Sequence, residues 1–414
     1  MKTDVIVLGA GIIGVSAALH LQKKGRKVVL VDRRGIGEET SSGNAGMLVR
    51  AGIRPYHFPK DPVLLARSIT KQFGGFNYHP QFLLTHFPWL ISYAWHSRAQ
   101  SIEQISADML PLIETCVTEH QALALEAGAQ KLLHAAGWLT VYRSEKSFRR
   151  AVAAAQGMAK KYNLDFDVIE RQQLAARFPI KVDKLQGGLY WRDPYSCSNP
   201  ESLVKAYGAL FERNGGVFIR ADARNVTGQA NQWRLSTPST SIEAKEIVVA
   251  LGAWSKEIYE PLGYRFPMVD KRGYHMHYKS SWPDSFHTPV TDMDHGYVLA
   301  PMEQGLRMTT GVELAARDAP YTPVQLKRLE TIAKDIVDLG QRADSTAWMG
   351  TRPCFADMRP IVGAAQNHAG LWFCFGHNHV GFSVGPGCGK LLAEMMTGDT
   401  LFMNPLPFSP NRFS

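Results

Sequence analysis

A glycine-rich turn near the start of the chain constrains the fold more than any other feature. Residues 4–8 (DVIVL) form a continuous apolar run, typical of a strand buried on both faces of a parallel sheet. The run enters GAGIIG at residues 9–14, and VSAALHLQKKG then places apolar residues at helical spacing and stops at Gly25. RKVVLVD follows as a second buried strand that ends in Asp32. This order predicts a βαβ unit.

The same unit predicts a dinucleotide site, because each glycine has a separate physical role. Gly9 permits a tight turn, Gly11 lets the backbone approach a pyrophosphate, and Gly14 lets the helix pack closely on the strand. The helix N-terminus carries partial positive charge, and Asp32 can hydrogen-bond ribose hydroxyls. The alternative is a glycine-rich turn in an ordinary α/β domain. We expect the nucleotide to contact Gly9, Gly11, Ile12, Ile13, Gly14, Asp32 and Arg33.

A stretch of small residues follows the acidic residue, where an NAD-binding chain would continue with another helix and strand. Such a stretch can approach a ligand closely and offer hydroxyl and amide groups, although a solvated loop has a similar composition. We expect cofactor contacts from Thr40, Ser41, Ser42, Asn44, Ala45, Gly46 and Met47.

Charge and composition exclude several classes of protein. The 414 residues include 46 Lys+Arg and 37 Asp+Glu, a formal net charge of +9, but the basic residues are scattered and no nucleic-acid partner is expected. Five widely spaced cysteines without Cys/His metal spacing predict a reduced interior and no metal site. No signal-peptide pattern and no apolar stretch of about 18 residues occur. We expect a cytoplasmic protein, or one peripheral on the inner face of the cytoplasmic membrane.

Two segments far along the chain from the glycine-rich turn are also predicted to contact the cofactor. EIVVALGAWS (residues 246–255) is a predicted strand ending in Ala-x-Gly, and its glycine permits close passage beside a cofactor. LWFCFGHNHVGFSVGPGCGKLLAEMM (residues 371–396) predicts a strand, a glycine-rich turn and a helix whose N-terminus favours negative charge. The cofactor contacts expected here are Ala250, Gly252, Trp254, His377, Val380, Gly381, Phe382 and Ser383.

Together these segments resemble the D-amino-acid oxidase/dehydrogenase superfamily of FAD enzymes, which includes glycine oxidase-like proteins, and above all bacterial D-amino-acid dehydrogenases. The resemblance extends through ETSSGNAG, KRGYHM, GYVLAPMEQGLRMTTGVELA and GTRPCFADMRPIVG, in the family's order over nearly the whole chain. It implies an α/β plus α+β fold, with a Rossmann-like FAD-binding domain on a parallel sheet and a substrate domain on a large mixed or antiparallel sheet. The expected FAD domain is discontinuous (residues 1–55, 198–262 and 351–414), and residues 56–197 and 263–350 form the substrate domain.

The chain departs from the family pattern at three places. Ala356-Asp357-Met358 replaces a common Pro-Asp-Gly, Met47 stands where relatives often have Gln, and Cys354 is out of register with the cysteine of covalent flavoproteins. We therefore expect FAD to be bound non-covalently.

The resemblance also implies which residues carry the chemistry. A planar guanidinium can pair bidentately with a substrate carboxylate, and Arg352 lies in the family's G-x-R-P motif. Tyr297 in GYVLAP and Tyr274 in KRGYHM are expected to share that carboxylate, and His379 to contact flavin or substrate. Each also has a purely structural interpretation: an arginine paired with an acid such as Asp357, aromatics on strands, and a structural histidine.

The predicted activity is FAD-dependent oxidative deamination of a D-amino acid with a free carboxylate, by hydride transfer from the α-carbon to flavin. A cyclic substrate such as D-proline or hydroxy-D-proline would give a cyclic imine. Electrons would pass to quinone or another acceptor, and the aromatic and basic segment 58–98 could contact a membrane or simply pack in the substrate domain. A glycine- or sarcosine-type oxidase, a 2-hydroxyacid dehydrogenase, a tRNA-modifying flavoprotein and a flavin-binding partner subunit without a substrate site remain alternatives. Side-chain specificity, the choice between oxidase and dehydrogenase, and homo-oligomerisation are left open.

Overall fold

The computed structural model describes residues 1–59, 61–71, 73–229, 231–238 and 240–413. Its strands and helices, in chain order, are β1 (Lys2–Leu8), α1 (Ile12–Lys23), β2 (Val28–Asp32), β3 (Met47–Leu48), α2 (Pro62–Ile69), β4 (Phe76–Tyr78), α3 (Pro80–Thr85), α4 (Phe87–His96), α5 (Ala99–Glu114), α6 (Cys116–Ala127), β5 (Leu133–His134), β6 (Trp138–Tyr142), α7 (Glu145–Tyr162), β7 (Phe166–Glu170), α8 (Arg171–Arg177), β8 (Gly187–Trp191), β9 (Tyr195–Cys197), α9 (Pro200–Arg213), β10 (Val217–Arg220), β11 (Val226–Gln229), β12 (Gln232–Ser236), β13 (Ser241–Val249), α10 (Lys256–Tyr259), β14 (Met268–Lys279), β15 (Val290–Asp292), β16 (Tyr297–Met302), β17 (Gly305–Thr309), β18 (Val312–Leu314), α11 (Val324–Ala333), β19 (Gln341–Arg342), β20 (Trp348–Phe355), β21 (Ile361–Ala364), β22 (Leu371–Phe375) and α12 (Gly381–Thr397).

The first sheet is parallel at its centre. Its strands β10, β2, β1, β13 and β22 lie side by side in parallel, β21 pairs antiparallel with β22, and the hairpin β11–β12 extends from the first half of β13. Both faces of β1 are buried: Val5 and Val7 pack in the core with α1, α9 and α12, whereas Ile6 and Leu8 pack in a separate core on the opposite face. This two-sided burial explains the uninterrupted apolar run in the sequence.

The second sheet is larger and mixed. Its path runs β4–β18–β14–β17–β16–β15–β6–β8–β7, and β19 and β20 also pair with β14. β14 and β20 are antiparallel over eight residue pairs, which include Lys271 opposite Arg352 and Gly273 opposite Gly350. Because side chains alternate along a strand, Tyr274 and Met276 pack in a core on one face, whereas Lys271 and Gly273 lie on the other.

The fold class predicted from the sequence is confirmed. Every strand of the parallel sheet comes from the three chain segments expected to form the cofactor domain. The strand β20, however, runs across the predicted boundary at residue 351 and belongs to the large sheet. The division into two domains therefore stays a prediction.

Close packing of α1 against α12 depends on glycine. A Cβ atom on Gly389 would lie 2.6 Å from the backbone carbon of Ser16, and one on Gly14 would lie 1.7 Å from the carbonyl oxygen of Gly9. Both neighbours are backbone atoms that cannot move aside. Gly389 therefore allows α12 to approach α1, and Gly14 allows α1 to pack against the turn that follows β1.

We predict that Gly389→Ala lowers the free energy of unfolding by about 1–3 kcal/mol, because the added methyl group overpacks a backbone contact. The matched control is Gly157→Ala in α7, where the methyl group meets nothing within 4 Å; it should raise the stability by about 0.5–1 kcal/mol. Urea unfolding of the two variants and the unmodified protein measures both changes. Equal stability of the two variants would contradict the packing account.

Candidate functional site

A cavity of about 1380 Å³ lies between the two sheets. Residues at the carboxyl ends of β1, β2, β13 and β22 form one side, and residues of β14, β16, β17 and β20 form the other. In parallel α/β sheets ligands bind at this end of the strands, so the cavity is where the sequence places a cofactor.

The glycine-rich turn forms one end of the cavity. α1 begins at Ile12 with Gly11 as its N-cap, and no acidic residue in its first turn neutralises the positive end of the helix. Gly9 has a φ of +107°, and a Cβ atom there would lie 2.4 Å from the carbonyl oxygen of Ala250. The turn therefore requires glycine, and it presents a helix N-terminus suited to a phosphate group.

Asp32 and Ser41 hold this turn in shape. The Ala10 amide donates a hydrogen bond to Asp32 Oδ2 (2.8 Å), the Arg34 amide donates to Asp32 Oδ1 (2.9 Å), and the Ile12 amide donates to Ser41 Oγ (3.0 Å). Asp32 also lines the cavity, where each carboxylate oxygen has further acceptor capacity.

Arg307 fixes the small-residue stretch from the other sheet. Its guanidinium is buried and donates to the carbonyl oxygens of Ser42 (3.0 Å) and Asn44 (2.5 Å) and to His277 Nε2 (2.9 Å). His277 Nδ1 in turn lies 2.7 Å from Asp344 Oδ2. Burial lowers the pKa of Arg307 to about 10. Arg307 is not among the residues predicted from the sequence, because a lone arginine on a strand carries no local signal of a contact with a loop 263 residues away.

The start of α12 is a further segment that the sequence predicts to contact the cofactor. Ser383 Oγ donates to the carbonyl oxygen of Met47 (2.8 Å), which joins this helix to the small-residue stretch. His377 is buried against the cavity, and its Nε2 has no hydrogen-bond partner among the described residues. Trp254 lies near two guanidinium groups, those of Arg33 at 4.7 Å and Arg317 at 5.3 Å from its ring centroid.

Arg352 projects into the cavity across Gly273. A Cβ atom on Gly273 would lie 2.6 Å from Arg352 Nη1, which donates to the carbonyl oxygen of Gly311 at 3.0 Å. Within the described part of the chain no carboxylate pairs with this guanidinium, and Asp357 pairs instead with Arg359 and Arg412. Burial lowers the pKa of Arg352. The arginine is therefore a cation without a counter-anion among the described residues, as expected of a carboxylate-binding group.

Lys271 is a second cation in the cavity, and it is not among the site residues predicted from the sequence. Its Nζ lies 4.3 Å from the ring centroid of Tyr93 and 4.8 Å from that of Trp89, and all three residues line the cavity. Burial lowers the pKa of Lys271, and the nearby Arg352 lowers it further. The alternation in KRGYHM could have indicated Lys271, because it shares a strand face with Gly273.

Of the two tyrosines predicted to share the carboxylate, Tyr274 lies outside the cavity and Tyr297 lies at its wall. Tyr274 is outside the cavity, and its hydroxyl donates to Glu313 Oε2 at 2.7 Å, next to the buried Arg272–Glu313 ion pair. Tyr297 lies at the cavity wall, but its ring packs in the core behind the large sheet and its hydroxyl has no hydrogen-bond partner among the residues described. The adjacent Val298 and its strand partner Thr309 line the cavity.

The structure brings most of the remaining predicted site residues together. Gly14, Ser42 and Gly46 lie next to the cavity wall and act through the backbone shape around it. His379 lines the cavity with its ring 4.5 Å from that of Tyr56. The predicted residues that line the cavity are Gly9, Gly11, Ile12, Ile13, Asp32, Arg33, Thr40, Ser41, Asn44, Ala45, Met47, Ala250, Gly252, Trp254, Tyr297, Arg352, His377, His379, Val380, Gly381, Phe382 and Ser383.

The chain matches the DAO family, described as FAD dependent oxidoreductase, over residues 4–395. It is 27% identical to a D-amino acid dehydrogenase of Xylella fastidiosa over 412 residues, which cover 95% of this chain and 91% of that protein. It is 26% identical to a D-amino-acid oxidase of Bradyrhizobium diazoefficiens over 429 residues, covering 99% and 98% of the two chains.

Solved structures share the fold. Glycine oxidase from Geobacillus kaustophilus superimposes with a TM-score of 0.77 at 18% identity, over 99% of each chain. L-proline dehydrogenase from P. horikoshii has a TM-score of 0.72 at 15% identity, over 100% of this chain and 98% of the other.

The cavity residues fit FAD. The Gly9–Gly14 turn provides the close backbone approach and helix N-terminus that a pyrophosphate needs, and Asp32 provides acceptors for ribose hydroxyls. The Nε2 atom of buried His377, which no described residue contacts by a hydrogen bond, is a polar atom that a bound group would satisfy. Among the described ranges, no group of three or more His, Cys, Asp or Glu side chains could hold a metal ion.

The cavity histidines predict a specific acid sensitivity. Burial, together with the nearby charges of Arg352 and Lys271, lowers the pKa of His379 from 6.5 to about 3, so the ring is neutral in the folded protein at pH 5. The unfolded chain protonates near pH 6.5, so stability from this residue is present above that pH and is lost as the pH falls toward 3. His379→Gln should therefore reduce the fall in unfolding free energy by about 1.4 kcal/mol per pH unit between pH 6 and 4. Urea midpoints measured across this range would contradict the account if the two slopes were equal.

Proposed function

The chain belongs to the DAO family of FAD-dependent oxidoreductases, and from this premise we propose that it oxidises the α-carbon of a D-amino acid and passes the electrons to quinone or another acceptor. The family, the FAD cofactor and the enzyme class predicted from the sequence are confirmed by the family match. Non-covalent attachment of FAD stays a prediction, supported by the position of Cys354 outside the register of covalent flavoproteins.

The observation that carries the proposal is the Arg352 guanidinium. It lies inside the cavity that the cofactor turn opens into, and the described residues provide no anion for it. Leaving a half-buried cation unpaired in a cavity is unfavourable, and a bidentate carboxylate would offset that cost. An amino acid supplies such a carboxylate directly beside the carbon that is to be oxidised.

The chain's own residues bind and orient the substrate. Arg352 would hold the carboxylate, and the neutral rings of His377 and His379 add polar groups without adding charge. Bound FAD supplies the acceptor for the two electrons removed from the α-carbon. The N-terminus of α12 carries no acidic residue in its first turn, so it favours negative charge at the cofactor. Most of the catalytic advantage would come from positioning.

A substrate panel tests the proposal and separates the alternatives. Bleaching of the flavin absorbance under argon is followed with D- and L-amino acids, D-proline, hydroxy-D-proline, glycine, sarcosine and 2-hydroxyacids. Reduction by D-amino acids supports the proposal. Reduction by glycine, sarcosine or hydroxyacids alone would replace it with another activity of the family, and no reduction by any compound would favour a partner subunit.

We predict that Arg352→Met lowers kcat/KM for the best substrate by about 10²–10³-fold, because the substrate carboxylate loses a charge-assisted hydrogen-bond pair. The control Arg234→Met removes an exposed arginine of β12 and should change kcat/KM less than twofold. Single-turnover flavin reduction, at matched FAD content, measures both variants. Undiminished reduction by Arg352→Met would refute the carboxylate role.

We further propose that one surface of this enzyme contacts a membrane, where quinone acceptors lie. On α4, Phe87, Ile91 and Trp95 share one face and are 60%, 56% and 59% exposed, and Leu84 on α3 is 81% exposed. Arg98 lies 3.2 Å from the Trp95 ring centroid, and residues 54–98 contain five Lys and Arg but one acidic residue. Lys60 and Gln72 of this segment are outside the described residues. Basic charge beside exposed aromatics is typical of binding to anionic lipid surfaces. Across the described ranges, no helix has both the length and the apolar content to cross a bilayer.

We predict that the double variant Phe87→Glu, Trp95→Glu lowers partitioning to vesicles containing phosphatidylglycerol by at least about tenfold, since it removes apolar contact and adds repulsion. Leu406→Glu is the control, because Leu406 is 73% exposed and lies near the C-terminus. Vesicle co-sedimentation provides the measurement. Equal binding by both variants, or no binding by the unmodified protein, would exclude this surface.

A further inference from the structure

The cavity contains a second cationic position that the proposed reaction does not use. Lys271 stands directly opposite Arg352 in the β14–β20 pair, and both side chains line the cavity. The Lys271 ammonium has three hydrogen-bond donors, and in the described part of the structure it contacts the Trp89 and Tyr93 rings without an acidic partner.

The charged groups of Lys271 and Arg352 point in different directions. Arg352 crosses over Gly273 and reaches the carbonyl oxygen of Gly311. The Lys271 ammonium instead lies over the Trp89 ring, and Trp89 packs in the same core as Val269. Val269 precedes Lys271 along β14 and Gly273 follows it, so the ammonium and the guanidinium lie toward opposite ends of the strand. The two cations therefore present two separate positions at which an anionic group can bind.

We propose that Lys271, with Trp89 and Tyr93, forms a second anion subsite that receives the side-chain carboxylate of an acidic amino acid whose α-carboxylate is held by Arg352. This inference rests on the proposed function and specifies its substrate class. A monocarboxylate would neutralise one of the two half-buried cavity cations and leave the other, whereas a dicarboxylate neutralises both. A basic side chain would meet repulsion from Lys271, and an apolar one would leave its donors unsatisfied.

The aromatic rings give the subsite its position. Their faces hold the lysine ammonium by cation–π attraction and so restrict it to one region of the wall. Lysine on a flexible stem is otherwise poorly ordered. A fixed ammonium loses less conformational freedom on binding an anion, which increases the selectivity that one charge can provide.

Binding of unreactive acids tests the subsite without turnover. Glutarate and valerate have the same chain length and differ by one carboxylate, and their binding to the FAD-loaded protein is measured by perturbation of the flavin spectrum and by calorimetry. We expect glutarate to bind at least about tenfold more tightly than valerate, which corresponds to about 1.4 kcal/mol. In Lys271→Met the glutarate-to-valerate ratio should fall to near one, and in Lys271→Arg it should be retained.

The control is Lys279→Met, the same substitution at the exposed end of the same strand, which should keep the glutarate preference. Equal binding of the two acids by the unmodified protein, or a preference that persists in Lys271→Met, would overturn the subsite. The proposed function can be refuted independently of the subsite. If no amino acid bleaches the flavin but the Lys271-dependent preference for glutarate remains, the subsite is supported and the proposed reaction is refuted. If D-amino acids bleach the flavin but glutarate binds no better than valerate, the reaction stands and the subsite does not.

Discussion

The guanidinium of Arg352 lies in the cavity between the two sheets without a counter-anion among the described residues, and much of the surrounding structure makes this arrangement tolerable. Gly273 leaves the space through which the side chain passes, and the carbonyl oxygen of Gly311 accepts one of its hydrogen bonds. The pairing of β14 with β20 fixes the position of Arg352 relative to Gly273. Binding of a substrate carboxylate to this unpaired cation is favourable, because it removes the unfavourable free energy of leaving the charge without a partner.

One face of β14 packs in the core of the large sheet, and the other face lines the cavity. On the core face, Arg272 and Tyr274 join Glu313 in a buried hydrogen-bonded group that ties β14 to β18. On the cavity face, Lys271 lines the cavity and Gly273 leaves the space that the Arg352 side chain crosses. A fully satisfied polar cluster behind the strand makes the cavity face rigid, and rigidity is what a positioning site requires.

The sequence predicts the cofactor side of this site better than the substrate side, for a physical reason. The turn at residues 9–14 and the strand ending in Asp32 can be recognised from short runs of neighbouring residues. The glycines of the turn are required by backbone atoms close to them in the fold. The substrate side depends on which face of a strand a residue occupies, and a shift of one residue reverses that face. Tyr274 and Tyr297 were therefore both expected to share the carboxylate, although Tyr274 lies outside the cavity and the Tyr297 ring packs in the core behind the cavity wall, while Lys271 was missed. Arg307 could not be foreseen, because its contacts with Ser42 and Asn44 exist only once both sheets have assembled.

The central claim is that one cavity holds FAD and presents Arg352 to the substrate carboxylate. A crystal structure of the FAD-loaded protein with propionate bound tests it most directly. The account predicts the pyrophosphate at the Gly9–Gly14 turn and both carboxylate oxygens within hydrogen-bonding distance of the Arg352 guanidinium. Propionate bound away from Arg352, or an Arg352 side chain turned out of the cavity that holds the cofactor, would contradict it.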